Sequence, residues 1–282
     1  MGTAAREAHG TFPGWDGTPL HRVAWEVPEP RALLLLSHGV GEHAGRYAAF
    51  AHDLAAAGIS THALDHRGNG RSPGRRGHVA RFRELVDDLE AFRRGVVIPA
   101  AGERPVFLLG HSLGGLIALR HLQEHPEAPW AGAILSAPAL EAAVEAPRWK
   151  VALARALSPV LPAIPFANEI DPAVLTHDRA LVDAYRDDPL VHPYITPRLY
   201  TAMVEAMRLA LARGERIRTP LFFVVPGEDR VVRSAATEAF ARSLPGDVTL
   251  RRYEGFFHEC FNELERTRVV RDVVEWIGAR LG

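Results

Sequence analysis

Cysteine is scarce in this sequence, since Cys260 is the single one among 282 residues. One cysteine cannot form an internal disulfide bond, and it cannot supply the paired thiolates of a structural zinc site. The fourteen histidines are scattered and show no H-E-x-x-H spacing. The sequence therefore predicts no metal site, and we interpret Cys260 as a small, buried apolar residue.

Long apolar runs and an excess of one charge are missing as well. The longest apolar runs, such as residues 32–36, fall far short of the ~20 residues that a membrane-spanning helix needs, and residues 1–10 lack the apolar stretch of a secretory signal. We therefore expect a cytoplasmic protein. The 33 basic and 34 acidic residues nearly cancel, so no overall field would attract nucleic acid or draw the whole protein onto an anionic membrane. A small molecule is the expected partner.

Short strand-like runs alternate with longer helical patterns along most of the chain. The strand-like runs cover residues 33–37, 60–65, 105–110, 131–136, 221–226 and 248–253. The helical patterns cover residues 47–57, 83–97, 113–124, 233–243 and 263–281. This alternation predicts an α/β fold with a mostly parallel sheet covered by helices on both faces. Residues 11–15 and 20–27 flank an Asp-Gly turn, which predicts an antiparallel hairpin at the sheet edge.

One connection is far longer than the others. After the strand that ends at residue 136, about eighty residues pass before the next strand, many more than an ordinary loop needs. Helical patterns in this stretch cover residues 149–157, 179–187 and 197–213. We expect a core of residues 1–137 and 216–282, with residues 138–215 inserted after the sixth strand as a helical cap over the ligand-binding edge of the sheet.

The sequence Gly-His-Ser-Leu-Gly at residues 110–114 joins a predicted strand to a predicted helix. A serine on such a sharp turn projects its hydroxyl above the sheet, and Gly110 and Gly114 leave room for the turn. His111 lies between the first glycine and the serine. The alternative interpretation is a turn of small residues before a helix, without a catalytic role. The strand and helix on either side favour Ser112 as a nucleophile.

A serine hydroxyl needs a base to take its proton and a carboxylate to orient that base. After the last predicted strand, His258 is the one remaining histidine, in a loop before the final helix. Two adjacent carboxylates, Glu228 and Asp229, follow the strand at residues 221–226. We choose Asp229 as the acid and keep Glu228 as the alternative. The other interpretation of Glu228 is a solvated turn residue.

The first buried strand leads into His38-Gly39-Val40. Small residues here would let the N–H of Val40 approach a substrate carbonyl oxygen together with the N–H of Leu113, as an oxyanion hole requires. Gly39 provides the flexibility, and we expect His38 to support the loop from beneath rather than to titrate.

The same loop also permits a different class of protein. Residues 39–44 satisfy G-x-G-x-x-A after a strand, and Asp65 ends the next strand, as in a dinucleotide-binding oxidoreductase. That alternative leaves the serine turn, Asp229 and His258 without a role. A catalytically silent scaffold that only binds is a third possibility.

Several stretches carry a family resemblance. They are residues 38–43 with 45–47, 65–72 with 77–79, 110–115, 188–191, Asp229, and His258 with Glu259. Together they resemble the monoacylglycerol lipase and lysophospholipase-like α/β-hydrolases over nearly the whole chain. Asn69 stands where the family usually has histidine, outside the three catalytic positions.

The resemblance implies hydrolysis of monoacylglycerols or similar single-chain esters through an acyl-serine, with the acyl chain under the cap and no metal or organic cofactor. A lysophospholipase or a general carboxylesterase is the alternative. By the same analogy Glu42 and Arg46 help to shape a polar site for the alcohol, although a helix N-terminal charge and a surface ion pair are equally ordinary interpretations.

We also hypothesise transient contact of the cap with lipid surfaces. Apolar residues cluster there beside prolines that would expose them. These residues are Trp149, Leu157, Leu161, Ile164 and Phe166.

Overall fold

A central mixed sheet organises the part of the chain that the computed structural model describes, residues 5–144 and 147–281. Within these residues eight strands form the sheet and two more form a small separate ribbon. In chain order the strands are β1 (Arg6–Pro13), β2 (Pro19–Glu26), β3 (Ala32–Ser37), β4 (Ile59–Leu64), β5 (Val106–His111), β6 (Gly132–Ser136), β7 (Phe166–Ala167), β8 (Tyr194–Ile195), β9 (Leu221–Pro226) and β10 (Val248–Tyr253).

The strand order across the sheet is β1-β2-β4-β3-β5-β6-β9-β10. The six strands from β4 to β10 in this order run parallel, whereas β2 is antiparallel to both β1 and β4. The predicted edge hairpin is therefore confirmed, with Gly17 in its turn at a φ of 81°. Its first strand begins at Arg6 rather than at residue 11. The extra residues are mostly exposed, so they carry no apolar signal.

Helices cover both faces of the sheet, as predicted. They are α1 (Ala48–Ala56), α2 (Arg83–Phe92), α3 (Ile98–Ala101), α4 (Leu113–Glu124), α5 (Arg148–Val160), α6 (Arg179–Asp187), α7 (Pro197–Ala212), α8 (Ser234–Ser243) and α9 (Arg266–Gly278). Strand β3 is apolar on both of its faces because helices cover each face. Leu33 and Leu35 pack with α2 and α4 on one face, and Leu34 and Leu36 pack with α1 and α9 on the other.

The helix predicted over residues 83–97 is not one regular helix. Helix α2 ends at Phe92, a five-residue π-helical turn follows over Arg93–Val97, and the short α3 begins at Ile98. Pro99 in α3 has no amide hydrogen for the carbonyl four residues earlier, and a shift in hydrogen-bond register is one way that a helix accommodates this loss.

The segment between β6 and β9 carries α5, α6 and α7, in agreement with a helical insertion after the sixth strand. Helix α7 packs on both α5 and the core helix α4. The two-residue strands β7 and β8 pair with each other in this segment. They were not predicted, because two residues are too few to show an alternating pattern.

Candidate active site

Ser112 lies on a strained turn between β5 and α4. Its backbone has φ 52° and ψ −116°, a region that costs a residue with a side chain about 1–3 kcal/mol. The peptide groups hold it there, since Ser112 N donates to Ser136 O at 3.0 Å and Ser112 O accepts from Ala139 N at 2.9 Å. The turn therefore projects the serine side chain away from the sheet edge.

Close packing explains the glycines around this serine. A Cβ at Gly114 would overlap the carbonyl oxygen of Ser37, and a Cβ at Gly110 would overlap that of Gly114. A Cβ at Gly115 would come within 2.9 Å of Pro138 Cα. The N-terminus of α4 can therefore approach the ends of β3 and β5 only because these positions lack side chains.

His258 and Asp229 form a buried pair. His258 Nδ1 donates to Asp229 Oδ2 at 2.8 Å. Asp229 Oδ1 accepts from the backbone N–H groups of Val231 and Val232 at 2.7 and 2.9 Å. These contacts orient the carboxylate toward the imidazole and leave Nε2 of His258 for another partner.

The charges of this pair support each other. Burial opposes a charge on either group, but the attraction between them is stronger, so the pKa of Asp229 lies below its ordinary value and the pKa of His258 lies above its own. Glu228, the alternative acid, has an exposed side chain. Of the two carboxylates, Asp229 is the one that contacts His258.

His111 links the serine turn to the histidine loop. Its ring lies 4.8 Å from the ring of His258, centroid to centroid, and its Nδ1 lies 3.2 Å from Ser136 Oγ. Burial and the neighbouring His258 lower the pKa of His111 to about 4. His111 is therefore neutral near pH 7. Because its ring also lies beside that of His258, the structure brings Ser112, His258 and Asp229 to one edge of the sheet.

The loop after β3 lies beside the serine. Val40, Ser112 and Leu113 all line one cavity. Leu113 is the first residue of α4, so its N–H has no acceptor within the helix. His38 Nδ1 donates to Gly39 O at 2.8 Å, and its Nε2 accepts from His66 N at 3.0 Å. These are the contacts expected of a residue that supports the loop, and burial lowers the pKa of His38.

A cavity of about 760 Å³ opens above Ser112. Most of its wall comes from the segment between β6 and β9, and much of that wall is apolar. The apolar residues of this wall include Trp149, Leu153, Ala154, Met203 and Met207. An extended hydrocarbon chain would fit its chemistry.

The side chains of Glu42 and Arg46 are 4% and 10% exposed, and both lie outside the lining of this cavity. Arg46 Nη1 donates to Glu42 Oε2 at 2.5 Å, and Arg46 also contacts both carboxylate oxygens of Glu259 at 2.7 Å. The ion pair considered from the sequence is therefore present, but it lies largely buried rather than on the surface. The sequence also did not assign a role to Glu259, whose partner Arg46 lies far away along the chain.

The structure contradicts the two observations that favoured a dinucleotide-binding protein, namely an available Asp65 and an open glycine loop. The carboxylate of Asp65 is buried and accepts from the backbone of Ala44 and Arg71 at 2.8 and 2.9 Å, and it also contacts His21. The segment just before β8 covers the glycine loop, where His192 N donates to Gly41 O at 2.9 Å. Neither the acid nor the loop is open to a nucleotide.

Two features are absent from residues 5–144 and 147–281. No group of three or more His, Cys, Asp or Glu side chains there is arranged to hold a metal ion. No helix in the same residues is both long enough and apolar enough to cross a membrane.

Known proteins resemble this chain over most of its length. Residues 28–265 match a family model described as Serine aminopeptidase, S33. The monoacylglycerol lipase of Mycolicibacterium smegmatis is 34% identical over the full length of both chains. The monoglyceride lipase of Rattus norvegicus is 34% identical, covering 94% of this chain and 89% of the relative.

Solved structures are similar over most of their length. The monoacylglycerol lipase of Paleococcus ferrophilus superposes with a TM-score of 0.84 at 33% identity, covering 93% of this chain and 99% of that one. A soluble variant of the Saccharomyces cerevisiae monoglyceride lipase, in complex with a substrate analog, has a TM-score of 0.84 at 25% identity and covers 99% of this chain and 96% of that one.

The fold and these matches define a serine hydrolase of the α/β-hydrolase class. Within that class, the chain belongs to the monoacylglycerol lipase family of carboxylic ester hydrolases.

Proposed function

We propose that this protein hydrolyses monoacylglycerols or similar single-chain esters, with Ser112 as nucleophile, His258 as base and Asp229 as the orienting acid. The observation that carries the proposal is the 2.8 Å contact between His258 and Asp229, beside a strained serine on the wall of an apolar cavity. The names of the relatives support the choice of substrate.

The reaction has two halves. Ser112 Oγ attacks the ester carbonyl carbon while His258 Nε2 takes the hydroxyl proton, and the carbonyl oxygen becomes an oxyanion that accepts from the N–H groups of Val40 and Leu113. His258 then gives its proton to the leaving alcohol, and an acyl-serine remains. Water attacks that ester with His258 as base again, which releases the fatty acid and restores the Ser112 hydroxyl. Asp229 stabilises the imidazolium in both halves.

Residues 138–215 would act as the cap domain over a core of residues 1–137 and 216–282. The acyl chain would lie against the apolar wall formed by α5 and α7, and the ester carbonyl would lie near Val40 and Leu113. The alcohol would leave on the side of the serine opposite the acyl chain.

A panel of esters tests the substrate. At equal acyl length, monoacylglycerol, lysophospholipid and p-nitrophenyl ester are compared with an aminoacyl p-nitroanilide, using wild type and Ser112→Ala. The proposal expects the highest kcat/KM on monoacylglycerol and loss of all turnover in the variant. Preference for lysophospholipid or for the anilide would assign a different substrate to the same serine.

Contact between the cap and lipid surfaces is also proposed. Trp149 is 64% exposed, Leu161 is 49% exposed, and Ile164 and Phe166 are exposed as well, whereas Leu157 is half-buried. Exposed aromatic and aliphatic side chains of this kind insert into the boundary between headgroups and acyl chains.

Liposome flotation tests this contact. Wild type should float with neutral phosphatidylcholine vesicles, and a Trp149→Ser/Leu161→Ser double variant should stay largely in the dense fraction. Leu264→Ser removes an apolar side chain that is 68% exposed outside the cap and should float like wild type. Equal flotation of all three proteins would contradict a role for the cap.

A further inference from the structure

A buried cluster of charged side chains joins two loops of the candidate active site. Arg46 Nη1 donates to Glu42 Oε2 at 2.5 Å and to Glu259 Oε1 at 2.7 Å, and Arg46 Nη2 donates to Glu259 Oε2 at 2.7 Å. All three side chains are at most 10% exposed. A pair of charges buried this deeply needs a nearly complete set of partners, because desolvation is costly.

The partners of this cluster are complete within the protein. Glu42 Oε1 accepts from Gly39 N at 2.5 Å and from the Tyr47 hydroxyl at 2.7 Å. Glu259 Oε2 accepts a second hydrogen bond from Asn262 Nδ2 at 2.8 Å. Each of the four carboxylate oxygens therefore has a donor already, and none faces the cavity as an open acceptor for a substrate hydroxyl.

The cluster is connected to the candidate active site at two points. Glu42 holds the amide of Gly39, and the next residue is Val40, whose N–H is the proposed oxyanion donor. Glu259 follows His258, the proposed base. Arg46 connects the two carboxylates, so one guanidinium ties the oxyanion loop to the histidine loop. From the cap, the ring of Tyr185 covers the Arg46 guanidinium at 4.6 Å.

We propose that Glu42, Arg46 and Glu259 are positioning residues for ester hydrolysis, forming a clamp that sets the Val40 amide and the His258 ring relative to each other. This inference rests on the proposed function, and it assigns Glu42 and Arg46 a different role from the alcohol site that the family resemblance suggested. The clamp acts through Gly39 and His258 and touches no substrate.

The clamp also contributes charge. Two carboxylates around one guanidinium leave a net charge of −1 near His258. The groups that face His258 are Asp229, Glu259 and Glu42, which are negative, and His111, which burial keeps neutral. Burial lowers the pKa of His258, but the carboxylates, Asp229 first, raise it above its ordinary value. The imidazolium that forms during acyl transfer is stabilised in the same way.

The test uses Glu42→Gln and Glu259→Gln, which keep the shape of each side chain and remove its charge. The matched control is Asp87→Asn, which removes the carboxylate of an i,i+4 pair with Arg83 on the surface of α2. Each protein is assayed with a monoacylglycerol and with a p-nitrophenyl ester of the same acyl chain. Rates are normalised to folded protein by circular dichroism.

The clamp predicts that kcat falls about 10- to 100-fold for both esters in both variants, approaching the loss of one oxyanion donor. KM should change little, because the lost interaction acts in the transition state. The acid limb of the kcat/KM profile of Glu259→Gln should also move to lower pH, since removal of a negative charge lowers the pKa of His258.

Three results would overturn the proposal. A loss confined to monoacylglycerol and seen in KM would show that these residues bind the alcohol. A loss no larger than that of Asp87→Asn would show that the cluster does not position the site. Unfolding of both variants would show that it acts on stability alone. Failure of the proposed function is distinct, because wild type itself would then hydrolyse neither ester.

Discussion

At the scale of single residues, the turn that carries Ser112 and the carboxylate that contacts His258 depend on different features of the chain. The serine turn is encoded by neighbours in the chain, namely Gly110, Gly114 and the strand and helix around them. The choice between Glu228 and Asp229 depends on which carboxylate the amides of Val231 and Val232 hold. That preference is set by the turn geometry, which residue types alone do not reveal.

The pH dependence follows from the His258–Asp229 pair. Since the base must be neutral, kcat/KM should rise with pH as His258 loses its proton, with a midpoint above the ordinary histidine pKa of about 6.5. Asp229→Asn removes the charge that raises this pKa, so the rise should move to lower pH. Its kcat should fall by about 10⁴ because the imidazole loses its preferred tautomer.

A kcat/KM profile of wild type and Asp229→Asn on a p-nitrophenyl ester measures both effects. Glu228→Gln is the control, because its carboxylate is exposed. A rise at the same pH in Asp229→Asn as in wild type would contradict the assignment of Asp229.

At the scale of elements, the sequence predicted the ends of strands and helices correctly where the strand or helix pattern was strong. The predicted bounds of β9, β10, α4 and α6 are those observed. The sequence failed where backbone hydrogen bonding changes register without a change in apolar period, as at the π-helical turn before α3. It also did not reveal the contact between Arg46 and Glu259, because these residues lie 213 positions apart along the chain.

The packing of α4 against the sheet gives a prediction about stability. Gly114→Ala should cost about 1–3 kcal/mol of unfolding free energy, because its Cβ overlaps the Ser37 carbonyl and the backbone must shift. Gly278→Ala at the end of α9 meets no atom within 4 Å and should stabilise by about 0.5–1 kcal/mol.

Urea unfolding of the two variants and wild type measures the difference. Gly114→Ala should also lose ester hydrolysis, whereas Gly278→Ala should keep it. Equal stability of the two variants would show that α4 does not approach the sheet as closely as observed.

At the scale of the whole molecule, the cavity is a product of distant segments. The long connection after the sixth strand predicted an insertion over residues 138–215, and helices α5, α6 and α7 lie between β6 and β9. The volume of about 760 Å³ depends on how α5 and α7 stand above Ser112, and no local pattern encodes that distance. Under the proposed function, the space available to an acyl chain is therefore set by the assembled fold.

Filling the cavity should change this preference. Met207→Trp places a larger side chain in the apolar wall, so the optimum of a p-nitrophenyl ester series should move to shorter acyl chains while acetate turnover stays close to that of wild type. The control is Arg208→Met, a substitution at an exposed position on the same helix. An unchanged optimum in Met207→Trp would place the acyl chain elsewhere.

The most direct test of the proposed mechanism is the identity of the acylated residue. Intact and peptide mass spectrometry of wild type after reaction with a fluorophosphonate should show one adduct, on Ser112, with simultaneous loss of ester hydrolysis. Ser112→Ala should fold, form no adduct and hydrolyse no ester. An adduct on another residue, or ester hydrolysis that persists in Ser112→Ala, would contradict the mechanism.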